Sequence, residues 1–130
     1  MDFLNKYAPQ IHGILRIVAG LLFLEHGLQK VIHFPMAASA AAPRAFDIMA
    51  FPVGPAGVIE TVAGILITIG LFSRYAAFIA SGEMAFAYFI AHFPRSPFPI
   101  LNGGGEAVLY CFLFLYLAAA GPGSFAVNQK

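Results

Sequence analysis

The sequence predicts an all-α, membrane-embedded bundle of four transmembrane helices, and three observations predict it. Four apolar stretches of helical length recur along the chain, each bounded by proline or glycine. Hydrophobic residues make up 60% of the 130 residues and charged residues only 10%, against roughly 45–50% and about 25% in soluble domains. The few ionisable residues within the apolar stretches follow faces lined by small side chains. With so thin a polar coat, lipid is the solvent that fits.

A helix needs about 20 mainly apolar residues to cross a hydrocarbon core of about 30 Å. Within a single domain over residues 1–130, the first span is read over 11–33, opened by Pro9 and closed before Pro35. The second runs over 54–72 and is entered through Pro55, where a missing N–H costs little. The third covers 75–93 and stops at the proline-rich stretch Pro94–Pro99. The fourth covers 105–120 and ends at Gly121-Pro122-Gly123. Ser73-Arg74 is read as a tight turn that makes spans two and three an antiparallel hairpin. In the longer connection Phe34–Val53, Ala45–Phe51 is expected as a short interfacial helix. Pro94–Gly104 is expected as an ordered, non-helical loop capping one end of the bundle.

Several classes drop out. A net charge of +1 with no run of Lys or Arg gives no footprint for nucleic acid. The lone Cys111 forbids an intrachain disulfide and a CxxC pair. Cys, His, Asp and Glu do not fall at zinc spacings, so no metal is expected. There is no phosphate loop, GxSxG or HExxH. Ile14–Leu24 with Ala38-Ser39-Ala40 resembles a signal peptide and its cleavage site. Glu25, Lys30 and Pro35 intervene, however, and the stretch is read as a span. Lys6, Arg74 and Lys130 balance Lys30, Arg44 and Arg95, and the short Arg74 turn with the N-terminal amine tilts both termini toward the cytoplasm.

The costly residues are Arg16, Glu25, Glu60, Glu83 and Glu106, with Lys30 near the end of the first span. Each costs a few kcal/mol at depth unless paired, neutralised or facing a wet cavity. At about 100° per residue, Gly13, Gly20 and Gly27 form a stripe beside Arg16 and Lys30. Gly57 and Gly64 bracket Glu60, and Ala76, Ala80 and Ala87 share the face of Glu83. Small residues mark close helix approach in membranes, so Arg16, Glu60 and Glu83 are expected inside. Arg16 and Glu83 lie at similar depth, roughly 8–12 Å from the terminal side, and are expected to pair. His26, Glu60, Lys30, His92, Asn102 and Glu106 gather nearer the loop side as a polar cluster. Plainer readings stand beside several of these: Arg16 as a registry device, the histidines as hydrogen-bonded structural residues or interface anchors in place of a metal-binding or proton-relay pair, and Glu106 as a first-turn carboxylate within reach of Tyr110. Glu25 lies about 180° from Arg16 and points to another subunit or the first loop.

Leu15-Arg16, Gly20-Leu21-Leu22-Phe23 and His26-Gly27-Leu28-Gln29-Lys30 resemble the first span of the DoxX family. Glu60, Gly64 and Gly70-Leu71-Phe72-Ser73-Arg74 resemble its second span and the turn that follows. Asn102-Gly103-Gly104-Gly105-Glu106 and Gly121-Pro122-Gly123 resemble the entry and exit of its fourth. The tail departs, with Ser124-Phe125-Ala126-Val127-Asn128 in place of the usual basic residue and terminal aspartate. The resemblance implies a compact four-helix protein of the bacterial inner membrane. Related DoxD-type proteins are associated with membrane thiosulfate:quinone oxidoreduction.

Three functions follow as expectations. The first is a quinone-linked redox subunit, with Arg16, His26, Lys30, Glu60 and Glu106 lining a site for a quinone or small anion. It would take its electrons from a partner protein, since no haem, flavin or iron–sulfur motif is present. The second is an oligomeric carrier or channel for a small solute or proton. The third is a non-catalytic assembly subunit whose buried charges fix packing. The sequence leaves open whether the chain is an enzyme subunit.

Overall fold

The computed structural model describes residues 1–37, 41–42 and 44–130 and is all-helical, with no strand among the described residues. A 3-10 segment, Asp2–Tyr7, leads into α1 (Ala8–Val31). Next come α2 (Val53–Ile69), α3 (Ser73–Ala87) with a π turn over Tyr88–His92, a one-turn α4 (Pro99–Asn102), and α5 (Gly105–Ala120). Among the described residues, only Asp2–Val31 is both long and apolar enough to cross a membrane by length and composition; α2 and α5 are shorter apolar helices.

The helix ends differ from the sequence expectation for local reasons. Helical structure starts before Ile11, because Pro9 sits in the first turn of α1, where no N–H is needed. α2 stops at Ile69: Gly70 takes a left-handed φ of 73°, and the N–H groups of Gly70 and Leu71 close back on Leu66 O at 3.0 and 2.9 Å. The turn is therefore Gly70–Phe72, and Ser73-Arg74 opens α3 instead of forming the turn. Ala45–Phe51 is not the expected interfacial helix. The Asp47 carboxylate accepts the Met49 N–H at 2.9 Å and sets a turn before Pro52. The loop Pro94–Gly104 contains α4, started by Pro99. Ala38-Ser39-Ala40 lies outside the described residues.

α1 packs on α2, α2 on α3, and α3 on α5. The first pairing depends on glycine. A Cβ on Gly20 would strike Thr68, one on Gly27 would strike the Glu60–Thr61 backbone, and one on Gly64 would strike Leu24. Thr61 and Thr68 turn their hydroxyls back to Gly57 O and Gly64 O, both at 2.7 Å, so neither polar group faces the partner helix unpaired. α3 packs on α5 with Ala76, Ala77 and Ala80 buried, and Ser81 donates to Cys111 O at 2.7 Å. Phe23, Ile67, Phe114 and Leu117 fill the centre, with Phe23 edge-on to Phe114 at 4.8 Å.

The terminal end is locked by Arg16, which is fully buried. Its Nε donates to Pro122 O at 2.8 Å, and Nη1 donates to Ile67 O and Thr68 O, each at 2.7 Å. Its Nη2 donates to Ser124 O at 3.0 Å and to Phe125 O at 2.8 Å. A guanidinium has five N–H donors, so none is left for Glu83, and the expected Arg16–Glu83 pair does not form. Arg16 instead caps the carbonyl end of α2, where the helix dipole favours a cation, and clasps the C-terminal tail. Arg74 does the same for α5, donating to Ala118 O and Ala119 O at 3.1 and 2.6 Å.

Candidate functional site

At the opposite end the bundle opens into a cavity of about 640 Å³ with walls from all four long helices. Its apolar floor is Phe23, Met84, Ala107 and the ring of Tyr110. Six of the eight expected site residues line it: His26, Lys30, Glu60, Glu83, His92 and Glu106. Helical spacing explains their convergence. Phe23, His26 and Lys30 lie three to four residues apart on α1, as do Pro52, Ala56 and Glu60 along the start of α2.

The polar groups fall into pairs and orphans. Lys30 Nζ donates to Glu60 Oε2 at 2.5 Å, with Glu60 only 3% exposed. His26 Nε2 lies 2.9 Å from Glu106 Oε1, a contact in which the imidazole donates and the carboxylate accepts. Glu106 therefore engages α1, and the buried Tyr110 hydroxyl lies near that carboxylate without a well-aligned hydrogen bond to it. Glu83 Oε2 is likewise buried without one. Three carboxylates thus face one ammonium around the cavity.

The other two expected residues lie outside the lining. Arg16 is at the far end, sealed by the tail. Asn102 spends its whole amide on the loop: Nδ2 donates to Tyr88 Oη at 3.2 Å and to Ser96 O at 2.8 Å, and Oδ1 accepts the Gly104 N–H at 2.8 Å. Its backbone carbonyl accepts from His92 Nδ1 at 3.0 Å, which orients that ring at the cavity's edge. Asn102 is a positioning residue for the loop. Glu25 is exposed and makes no hydrogen bond among the described residues.

Two lining residues lie outside the expected site: Tyr110, read only as a neighbour of Glu106, and Phe51. Tyr110 was available as a signal, one turn after Glu106 on the same face, but its ring stacks on Phe114 at 5.3 Å and its hydroxyl is held away from solvent. Phe51 meets Phe86 at 5.9 Å where the start of α2 faces α3, so Phe86 lines the mouth of the cavity as well as the outer surface. No local pattern marks Phe51, because its position depends on the course of the long first connection. Among the described residues no group of three or more His, Cys, Asp or Glu could hold a metal.

One long apolar helix and three shorter helices around an end cavity with paired and unpaired charges define a small all-helical protein with a few polar groups in an apolar pocket. The DoxX family profile matches residues 12–93, and the chain belongs to the DoxX family. That match spans α1 to the π turn and leaves Glu106, Tyr110 and the tail outside it. A Haemophilus influenzae protein described as "Uncharacterized protein" is 44% identical over 133 residues, covering 100% of this chain and 97% of the relative. No solved structure matches.

Proposed function

We propose that this DoxX-family protein is a four-span integral membrane protein of the bacterial inner membrane. In this reading it is a redox-associated subunit that holds a quinone-class head group in its end cavity, while a partner protein exchanges the electrons. The membrane part rests on what the helices present outward. Leu21 (50% exposed), Ile65, Phe78 (66%) and Leu109 (73%) sit on four different helices, and a water-soluble bundle would place polar residues there. At about 1.5 Å per residue, α2 and α5 reach about 25 Å, near the lower end of what spans a bilayer. Flanking turns and local thinning accommodate such a mismatch. Both termini then lie on one side, the cytoplasm by the Lys and Arg balance.

The ligand part is carried by one observation: a cavity of about 640 Å³ with apolar walls and a few convergent polar groups. Ligand sites are typically about 300–1,000 Å³ and built in this way. A carrier or channel fits less well, because Phe23, Ile67, Phe114 and Leu117 fill the bundle beneath the cavity and make it blind. The direct test is thermal unfolding of the purified protein with and without a short-tailed benzoquinone. Stabilisation of wild type, lost in Glu60→Gln and His26→Ala variants that still fold, is the expected outcome. If no quinone stabilises the wild type, the assembly-subunit reading takes its place.

A further inference from the structure

The two orphaned atoms of the cavity specify more than its size does. Glu83 Oε2 and the Tyr110 hydroxyl are both buried without a partner, and both residues line the cavity. Tyr110 is 5% exposed, and its ring is fixed against Phe114 at 5.3 Å, so the hydroxyl is held in place. A buried polar atom left unpaired carries its full desolvation penalty, and a ligand that completes it recovers that penalty.

What the orphans need follows from how the other groups are spent. The ammonium of Lys30 is held by Glu60 at 2.5 Å, the His26 ring by Glu106 at 2.9 Å, and His92 Nδ1 by Asn102 O at 3.0 Å. Each of these basic groups thus has one bond to a protein partner, while Glu83 Oε2 is a buried acceptor with no donor at all. A carboxylate only accepts, whereas a tyrosine hydroxyl can both donate and accept.

Resting on the quinone-class reading above, the geometry points to a selectivity. The cavity takes the hydroxyl-bearing, reduced head group in preference to the acceptor-only dicarbonyl form, with Glu83 as acceptor and Tyr110 as second contact. It also turns away small anions. The reduced form donates to Glu83, which the oxidised form leaves unpaired. Small anions meet three carboxylates and one ammonium already neutralised by its partner.

The test is calorimetric titration of the full-length protein in nanodiscs, without oxygen and at mildly alkaline pH. The ligands are the reduced and oxidised forms of one short-tailed benzoquinone, and thiosulfate. The reduced form is expected to bind about tenfold more tightly, equivalent to about 1.4 kcal/mol, and thiosulfate not to bind. Glu83→Gln, whose amide both donates and accepts, should bring the two affinities together, and Tyr110→Phe should weaken both. Equal binding of the two forms by wild type overturns the selectivity and leaves the quinone-class reading standing. Binding of neither form removes that reading and this inference with it. An unchanged preference in Glu83→Gln, or thiosulfate binding of similar strength, also overturns the proposal. Should Glu83→Gln not fold, the dimethyl ether of the same hydroquinone replaces it, since it keeps the ring and oxygens and loses the donors. Wild type must bind the ether about tenfold more weakly, and equal affinity sinks the assignment.

Discussion

Arg16 and Glu83 show how residue chemistry decides between two placements at one depth. The sequence offers a buried cation and a buried carboxylate at matching height, and pairing them is the economical reading. The structure satisfies Arg16 through five backbone carbonyls instead, three of them from Pro122, Ser124 and Phe125 of the tail. Backbone carbonyls leave no trace in side-chain identity, so this partner set was not legible. The inward facing of Arg16, Glu60 and Glu83 was legible, because small-residue stripes mark the interior faces. Arg16→Leu should destabilise by about 3 kcal/mol or more, since buried carbonyls lose their donors. Arg16→Lys, with three donors in place of five, should recover only part of that. Chemical denaturation in detergent measures both. Adding Glu83→Leu to Arg16→Leu should change stability additively; a strong rescue in the double variant would restore the discarded ion pair.

At the scale of elements, the glycines separate into two kinds that the sequence does not distinguish. Gly27 and Gly64 bring α1 and α2 to backbone contact, while Gly82, midway along α3, has nothing within 4 Å of where a Cβ would stand. Gly27→Ala and Gly64→Ala should each cost about 1–3 kcal/mol by forcing the helices apart. Gly82→Ala should be neutral or stabilise by up to about 1 kcal/mol, because alanine is the better helix former. Thermal melts of the three variants check this, and equal effects at all three positions would contradict the packing described. The four helical stretches were readable because Pro and Gly punctuate them. The boundaries were less so, since Ile69 ends α2 through the left-handed Gly70, and Asp47 makes a turn where an alanine-rich stretch suggests helix.

For the whole molecule, the proposed four-span arrangement puts the two ends of the bundle on opposite sides of a membrane. One end is closed by the tail and two arginine caps; the other holds the cavity. Single cysteines at Asp2 and Gln129, in a Cys111→Ala background, should be labelled by an impermeant reagent from the side opposite to cysteines at Met49 and Ile100. Labelling of the two termini from different sides would break the four-span arrangement. The apolar exterior was legible from composition alone, whereas the cavity was not, because it depends on Phe51 and on the loop that Asn102 holds. In the function proposed above, this cavity binds a molecule and the costly charges around it serve that binding. Ala56 lines the wall on α2 and carries no polar side chain. Ala56→Phe should occupy the space, leave the melting temperature of the unliganded protein unchanged or higher, and abolish stabilisation by a short-tailed benzoquinone. An Ala56→Phe protein that folds and is stabilised by the quinone as strongly as wild type would contradict the account.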